Sequence, residues 1–202
     1  EKNNQDNNIE EDDFDFNQDG PSLEFEDEYR SPGWERLKKK QVFEMEKIKK
    51  LKKLLIHFNL DGYIVPKNDE FFSEYVPESK DNLTFISKFT GSSGFALILK
   101  KKNYIFVDGR YSLQAKIECG SKFEIITFPK KLPKDILKSK NIKIGFDPKL
   151  HTETAISFFF QKTKCKLVAI KKNLIEIIRG NKKDKINKKL YLLKNENVGE
   201  NF

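Results

Sequence analysis

The sequence contains few side chains that could carry out chemistry. Its two histidines, His57 and His151, have no second histidine or cysteine at the spacing of a metal site. The Gly-Ser-Ser-Gly turn at residues 91–94 lacks the single central serine of a nucleophile elbow and the lysine of a phosphate-binding loop. The sequence therefore predicts no catalytic residue and no metal ligand in this chain.

Arg110 is the side chain best suited to binding a ligand. It is the only arginine between residues 37 and 178, in a chain that otherwise uses lysine for positive charge. A planar guanidinium suits a carboxylate or a peptide carbonyl better than an ammonium does. Two interpretations stay open, a buried arginine that holds the Ser92 loop or a strand end, and an arginine that faces a ligand. Asp108, which precedes Gly109, is expected to stabilise a turn.

The elements that position these residues alternate between strand and helix. Hydrophobic spacing and turn residues predict helices over 34–58, 111–117, 152–162 and 174–178, and strands over 63–65, 95–99, 103–107, 123–128, 142–146 and 166–170. The strands over 95–99 and 103–107 are expected to form an antiparallel hairpin. In the helix over 111–117, Leu113 and Ile117 are expected to face inward. The pattern predicts an α/β fold, with a mixed β-sheet flanked by helices.

The charge is unevenly distributed along the chain. Residues 1–30 carry 12 acidic and 2 basic side chains, whereas the whole chain of 202 residues has a net charge of +8. Acidic and aromatic residues mixed in this way predict a disordered tail over 1–33. A globular domain is expected over 34–180, and residues 181–202 are expected to be a linker and the start of a truncated following domain.

Composition also limits the partners and the compartment. The positive charge comes mostly from lysine, whereas base readout favours arginine, so no nucleic-acid partner is expected. No apolar run is long enough to cross a membrane. Cys119 and Cys165 are expected to be reduced thiols, which indicates a cytoplasmic protein.

Four motifs in order carry a family resemblance. They are Asp61-Gly-Tyr-Ile-Val-Pro66, Ser73-Glu-Tyr-Val76, Phe85-Ile-Ser-Lys-Phe-Thr-Gly-Ser-Ser-Gly94 and Val107-Asp-Gly-Arg-Tyr-Ser-Leu-Gln-Ala115, and a weaker match follows in Ile144-Gly-Phe-Asp-Pro148. With these motifs the chain resembles the N-terminal domain of the creatinase/prolidase family, on its aminopeptidase P (Xaa-Pro aminopeptidase) branch. The resemblance covers about residues 46–180. Lys88 and Asn82 depart from it, because the family usually has a small residue and a basic residue there.

The resemblance implies a non-catalytic N-terminal domain of a metal-dependent Xaa-Pro aminopeptidase, an enzyme that releases the N-terminal residue preceding proline. It implies a homodimer, a peptide substrate with proline in second position, and two divalent metals, typically manganese, in a C-terminal domain outside this chain. By the same resemblance the domain borders the substrate cleft. The implied substrate-binding residues are Arg110 and Tyr111, and the implied cleft or interface loop comprises Phe89, Thr90, Gly91, Ser92 and Gly94.

A second class of function stays open. A similar domain is reused without peptidase activity in a histone-chaperone subunit, so a non-enzymatic protein-binding module is the alternative. The close match at residues 108–115 favours the peptidase branch.

Overall fold

The computed structural model describes residues 32–138 and 141–180, with side chains from Met45 onward. The chain divides into a unit of residues 1–39 and a unit of residues 40–202, and every described strand belongs to the second unit. Residues 1–31 of the predicted acidic tail and the predicted linker over 181–202 lie outside the described residues.

Helices and strands alternate along the described part of the chain. The helices are α1 (Pro32–His57), α2 (Asn82–Ser87), α3 (Ser112–Cys119), α4 (Pro133–Leu137), α5 (Glu153–Phe160) and α6 (Leu174–Arg179). The strands are β1 (Gly62–Pro66), β2 (Gly94–Leu99), β3 (Asn103–Asp108), β4 (Glu124–Phe128), β5 (Lys143–Phe146) and β6 (Lys166–Ala169). Short 3₁₀ turns follow β3 and β5, at Gly109–Tyr111 and Pro148–Leu150.

The six strands form one mixed sheet, in the order β4-β3-β2-β1-β5-β6. β2 runs antiparallel to β1 and β3, whereas the other neighbouring pairs are parallel. The hairpin predicted from the sequence is therefore confirmed, and so is the α/β fold class. Because all strands except β2 point the same way, five carboxyl ends lie at one edge of the sheet, and β2 begins there. We call this the carboxyl edge.

Burial of apolar side chains explains why these segments pack as they do. In α1, Ile48, Leu51, Leu54 and Leu55 are at most 7% exposed, as their spacing predicts. The four central residues of β2 and the four central residues of β3 are buried, so both faces of this hairpin are covered. Burying the apolar area of such strands supplies the main driving force for folding.

Three features differ from the sequence prediction. Leu113 and Ile117 of α3 are 70% and 75% exposed, so the prediction that they face inward is wrong. Ala115 and Cys119 are buried instead, because α3 packs against β3 and β4 through its face of small residues. The sequence patterns also do not predict the short helices α2 and α4. Each begins close after a turn, at a length where hydrophobic periodicity carries little information.

Two further observations concern the described part of the chain. It includes no helix that is long and apolar enough to span a membrane. Cys119 and Cys165 are not joined to each other by a disulfide, and Cys119 is buried.

Candidate functional site

The carboxyl edge brings together residues that lie far apart in the sequence. Arg110 and Tyr111 directly follow β3, the loop of residues 89–94 leads into β2, and Lys67 directly follows β1. Ligands of α/β proteins bind outside the carboxyl ends of the strands, where loops rather than regular elements are free to vary. The predicted site residues therefore share one edge of the sheet.

The loop of residues 89–94 is held by its own buried phenylalanine and by the segment after β3. The Phe89 side chain is fully buried and meets the Tyr111 ring edge to face, with 5.9 Å between the ring centroids. The Ser92 and Tyr111 hydroxyls are hydrogen-bonded at 2.8 Å. The backbone N–H and the hydroxyl of Thr90 donate to the Glu118 carboxylate at 2.8 and 2.6 Å. The loop is therefore a fixed wall of the site.

The two glycines of this loop have different reasons to be glycine. A Cβ at position 91 would lie 2.2 Å from Cζ of Phe89, so the buried ring packs directly on the Gly91 backbone. Gly94 has a φ of 157°, and a Cβ there would lie 2.7 Å from the Phe106 carbonyl oxygen in the neighbouring strand. In both cases the atom that lies close to the glycine belongs to the protein's own core.

Arg110 lies at the surface, and its side chain is 77% exposed. Its Nε donates to Oδ1 of Asp108 at 3.0 Å, and its backbone N–H donates to the same oxygen at 2.9 Å. These hydrogen bonds lower the pKa of the Asp108 carboxyl, the backbone one most strongly. Asp108 stabilises a turn, as predicted. The interpretation of Arg110 as a buried arginine is wrong, and Tyr111 rather than Arg110 holds the Ser92 loop. The expected contact with a strand end is present, because Asp108 is the last residue of β3.

A nearly buried polar cluster supports the loop from below. Nζ of Lys67 donates to Oδ2 of Asp81 at 2.6 Å and to the Thr84 hydroxyl at 3.0 Å. Asp81 also accepts the Thr84 backbone N–H at 3.0 Å, which caps the start of α2. The Thr84 oxygen lies 2.6 Å from the Phe89 carbonyl oxygen. The cluster joins the end of β1, the start of α2 and the loop of residues 89–94.

Sequence reasoning missed this cluster, although part of its signal was visible. An aspartate directly before the first residue of a helix is a preferred N-cap residue. Lys67 directly follows Pro66, the last residue of β1, and so lies among the loops at the carboxyl edge. The pairing of Lys67 with Asp81 could not be read from the sequence, because the fold of the intervening loop sets it.

A cavity of about 450 Å³ opens beside the loop of residues 89–94. We call it the first cavity. Its lining includes Lys67, Ser73, Tyr75, Thr90 and Ser92. Across from the loop of residues 89–94, Oδ1 of the buried Asp69 accepts the backbone N–H groups of Phe71 and Ser73, which fixes the loop that carries the exposed Phe71 and Tyr75.

The histidines and Ser92 do not form a catalytic pair in the first cavity. Neither histidine lines it, and the Ser92 hydroxyl is bonded to Tyr111 rather than to a base. Nucleophilic catalysis needs such a base within hydrogen-bonding reach. Within residues 32–138 and 141–180, no three His, Cys, Asp or Glu side chains come together as a metal site would require. The described residues thus do not fit the dinuclear metal centre that the resemblance implies for the C-terminal domain.

One protein family and several described proteins are similar to this chain in sequence. Residues 47–180 match the model of the Creatinase/Prolidase N-terminal domain. A protein of Coprinopsis cinerea described as a probable Xaa-Pro aminopeptidase P is 34% identical over 144 residues, which cover 66% of this chain and 23% of that protein. A protein of Laccaria bicolor with the same description is 32% identical, over 67% of this chain and 22% of its own length. The chain thus spans less than a quarter of the length of these relatives.

Solved structures show the same fold. The X-prolyl aminopeptidase of Caenorhabditis elegans, described as a cytosolic enzyme with a di-nuclear active site, superposes with a TM-score of 0.58 at 26% identity, over 65% of this chain and 25% of that one. The N-terminal domain of the cytoplasmic peptidase PepQ of Mycobacterium tuberculosis gives a TM-score of 0.52 at 20% identity, over 66% and 98% of the two chains. The family match and the sheet together show that this chain belongs to the Creatinase/Prolidase N-terminal domain family.

Proposed function

We propose that this chain is the non-catalytic N-terminal domain of a metal-dependent Xaa-Pro aminopeptidase. The observation that carries the proposal is the 34% identity, over 144 residues, to a protein described as a probable Xaa-Pro aminopeptidase P. In this proposal the catalytic residues and two divalent metals, expected to be manganese, belong to a domain outside residues 1–202. The enzyme releases an N-terminal residue that precedes proline, and it works in the cytoplasm.

In this proposal the carboxyl edge forms one wall of the substrate cleft. Arg110 supports this role because its side chain is 77% exposed. Within the turn its Nε donates to Asp108, and its guanidinium lies over the Tyr111 ring at 5.6 Å from the centroid. The two terminal nitrogens have no hydrogen-bond partner among the described residues, so they can donate to a peptide carbonyl or carboxylate. Tyr111 and the loop of residues 89–94 supply a wall that does not have to be ordered when the peptide binds, which lowers the entropic cost of binding.

We also propose that α3 takes part in a homodimer contact. Leu113 and Ile117 are one helical turn apart and both largely exposed, directly after Arg110 and Tyr111. Apolar side chains at an interface are covered by the partner, which stabilises the dimer. Sedimentation of the full-length protein should show a dimer, and replacing both residues by glutamine should shift it towards monomer. A wild-type protein that sediments as a monomer contradicts this contact.

An activity assay tests the peptidase proposal. The full-length protein that carries this chain, supplied with manganese, should cleave fluorogenic Xaa-Pro peptides, and the 202-residue chain alone should not. Arg110→Ala should lower kcat/KM by about threefold or more, since an interaction with the substrate is lost. Lys116→Ala is the matched control, because Lys116 is also an exposed cation, lies on the neighbouring helix α3, and should not change kcat/KM.

The possible outcomes separate the functions. If the full-length protein does not cleave Xaa-Pro peptides, the peptidase proposal fails and a protein-binding module takes its place. If cleavage occurs and Arg110→Ala matches the Lys116→Ala control, the peptidase proposal stands but Arg110 does not contact the substrate.

A further inference from the structure

A second, smaller cavity lies at the carboxyl edge beside the first. Its volume is about 200 Å³, and it shares Asn68, Ser93 and Gly94 with the lining of the first cavity. Cavities for drug-sized ligands measure about 300–1,000 Å³, so this one has room for about a single side chain. We call it the second cavity.

The walls of the second cavity are mainly aromatic. Phe72, Phe95, Phe128 and Phe159 all line it. Phe95 stacks on Phe159 with 4.5 Å between the ring centroids, and Phe128 meets both rings edge to face at 6.0 and 6.2 Å. Because the Phe95, Phe128 and Phe159 rings pack against one another, they form a fixed apolar surface that favours an apolar side chain over a polar one.

Among the polar side chains that line this cavity, Asp108 and His151 matter for binding, and Arg110 lies beside the cavity rather than in its lining. Asp108 lines it, and through Asp108 the exposed Arg110 guanidinium is held within one hydrogen bond of the lining. His151 also lines it, and Nε2 of His151 is buried with no hydrogen-bond partner among the described residues. Burial lowers the pKa of His151 to about 4, so its imidazole is neutral at physiological pH and one of its nitrogens can accept a hydrogen bond.

The position in the sheet is also that of a ligand site. The second cavity lies beyond the ends of β1 and β5, where Nδ2 of Asn68 donates to the Leu150 carbonyl at 2.8 Å. These two strands are parallel neighbours, and the connections that follow them leave in opposite directions along the sheet. Such a switch point opens a crevice between loops, which is where α/β proteins bind ligands.

We propose that the second cavity binds the C-terminal residue of a short peptide, with its apolar side chain among the phenylalanine rings and its carboxylate on the Arg110 guanidinium. The peptide N–H of that residue donates to Nε2 of His151. An apolar side chain, a carboxylate and an N–H donor occur together in such a residue, and each has a matching group here. The proposal rests on the proposed function only for the source of the peptide.

Calorimetric titration of the 202-residue chain tests the proposal without any cleavage. The probes are acetyl-glycyl-leucine, its C-terminal amide, and acetyl-glycyl-glycine. The acid should bind about threefold or more tightly than the amide, the upper range for an exposed ion pair. Acetyl-glycyl-glycine should show no saturable binding at millimolar concentration, since it lacks the apolar side chain.

Variants assign the effect to named residues. Arg110→Gln should make acid and amide bind equally, whereas the matched control Lys116→Gln should keep the preference for the acid. His151→Phe should weaken both peptides by the same factor. Ala155→Leu, which fills the second cavity, should also weaken both.

Three results would overturn the proposal. They are no saturable binding of acetyl-glycyl-leucine to the wild-type chain, equal binding of its acid and amide, and a preference for the acid that persists in Arg110→Gln. Arg110 is exposed, so this last variant is expected to fold normally. Each result is compatible with cleavage of Xaa-Pro peptides by the full-length protein, so it would leave the proposed function intact.

Discussion

The Lys67–Asp81 ion pair beneath the site loop gives the sharpest test of how the site is held. The side chains are only 14% and 13% exposed, and their charged atoms are 2.6 Å apart. Lys67→Met keeps the length and apolar stem of the side chain but removes the positive charge. Asp81 then loses its counter-ion in a nearly buried position and keeps only the hydrogen bonds that it accepts from Thr84.

The expected loss is about 2–3 kcal/mol in the free energy of unfolding, somewhat below the cost of removing one partner from a fully buried pair. Asp81 keeps its Thr84 hydrogen bonds and some solvent contact, which is why the expected loss is smaller than for a fully buried pair. For a chain of this size that loss corresponds to a fall in Tm of about 5–10 °C.

Urea unfolding followed by circular dichroism measures the change. The matched control is Lys100→Met, because Lys100 pairs with Asp61 at 2.8 Å in a pair whose side chains are 44% and 36% exposed. Exposed pairs contribute about 0–1 kcal/mol, and Asp61 keeps a hydrogen bond from the Lys143 backbone N–H. Lys67→Met should therefore be clearly more destabilising than Lys100→Met.

A double variant separates the charge from the packing. Asp81→Asn can still cap α2, so Lys67→Met combined with Asp81→Asn should recover part of the lost stability. The reasoning is refuted if Lys67→Met is no more destabilising than Lys100→Met. It is also refuted if the double variant is no more stable than Lys67→Met alone.

Two other substitutions follow from the site. Gly91→Ala should cost about 1–3 kcal/mol in urea unfolding, because its Cβ would displace the buried Phe89 ring. Gly109→Ala, whose Cβ would meet only Thr127 at 3.7 Å, should stay within about 0.5 kcal/mol, and equal effects would contradict the argument. The pKa of His151 is about 4 in the folded chain and near 6.5 when unfolded, so the unfolded chain takes up this proton first as the pH falls. Stability from neutral His151 should be complete above about pH 6.5 and fall by about 2–3 kcal/mol towards pH 4, a loss that His151→Phe should lack; an identical pH dependence in wild type and variant would be the contrary result.

Local patterns predicted most of the fold. Strands such as Phe95–Leu99 and Asn103–Val107 are continuous apolar runs between turn residues, and the structure assigns them to neighbouring antiparallel strands. Their identity depends on residues adjacent in the chain, and that is the information a sequence carries directly. The spacing of leucines in α1 predicted its buried face for the same reason.

The face of α3 could not be predicted in this way. Leu113 and Ile117 are four residues apart, but so are Ala115 and Cys119, so two helical faces compete. Hydrophobicity favours the first pair, and the space beside β3 and β4 selects the second. The distance between a helix and a sheet is a property of the packed structure, which no single helix sequence specifies.

The sequence by itself determined the family motifs, the order of strands and helices, and the unusual arginine at position 110. Only the tertiary structure decided that Arg110 is exposed, that Tyr111 holds the loop at Ser92, and that Lys67 pairs with Asp81. It also decided that His151 lines a cavity with Phe128 and Phe159. The physical reason is that these relations join strand ends and loops across the sheet, and the strand order fixes which ends become neighbours.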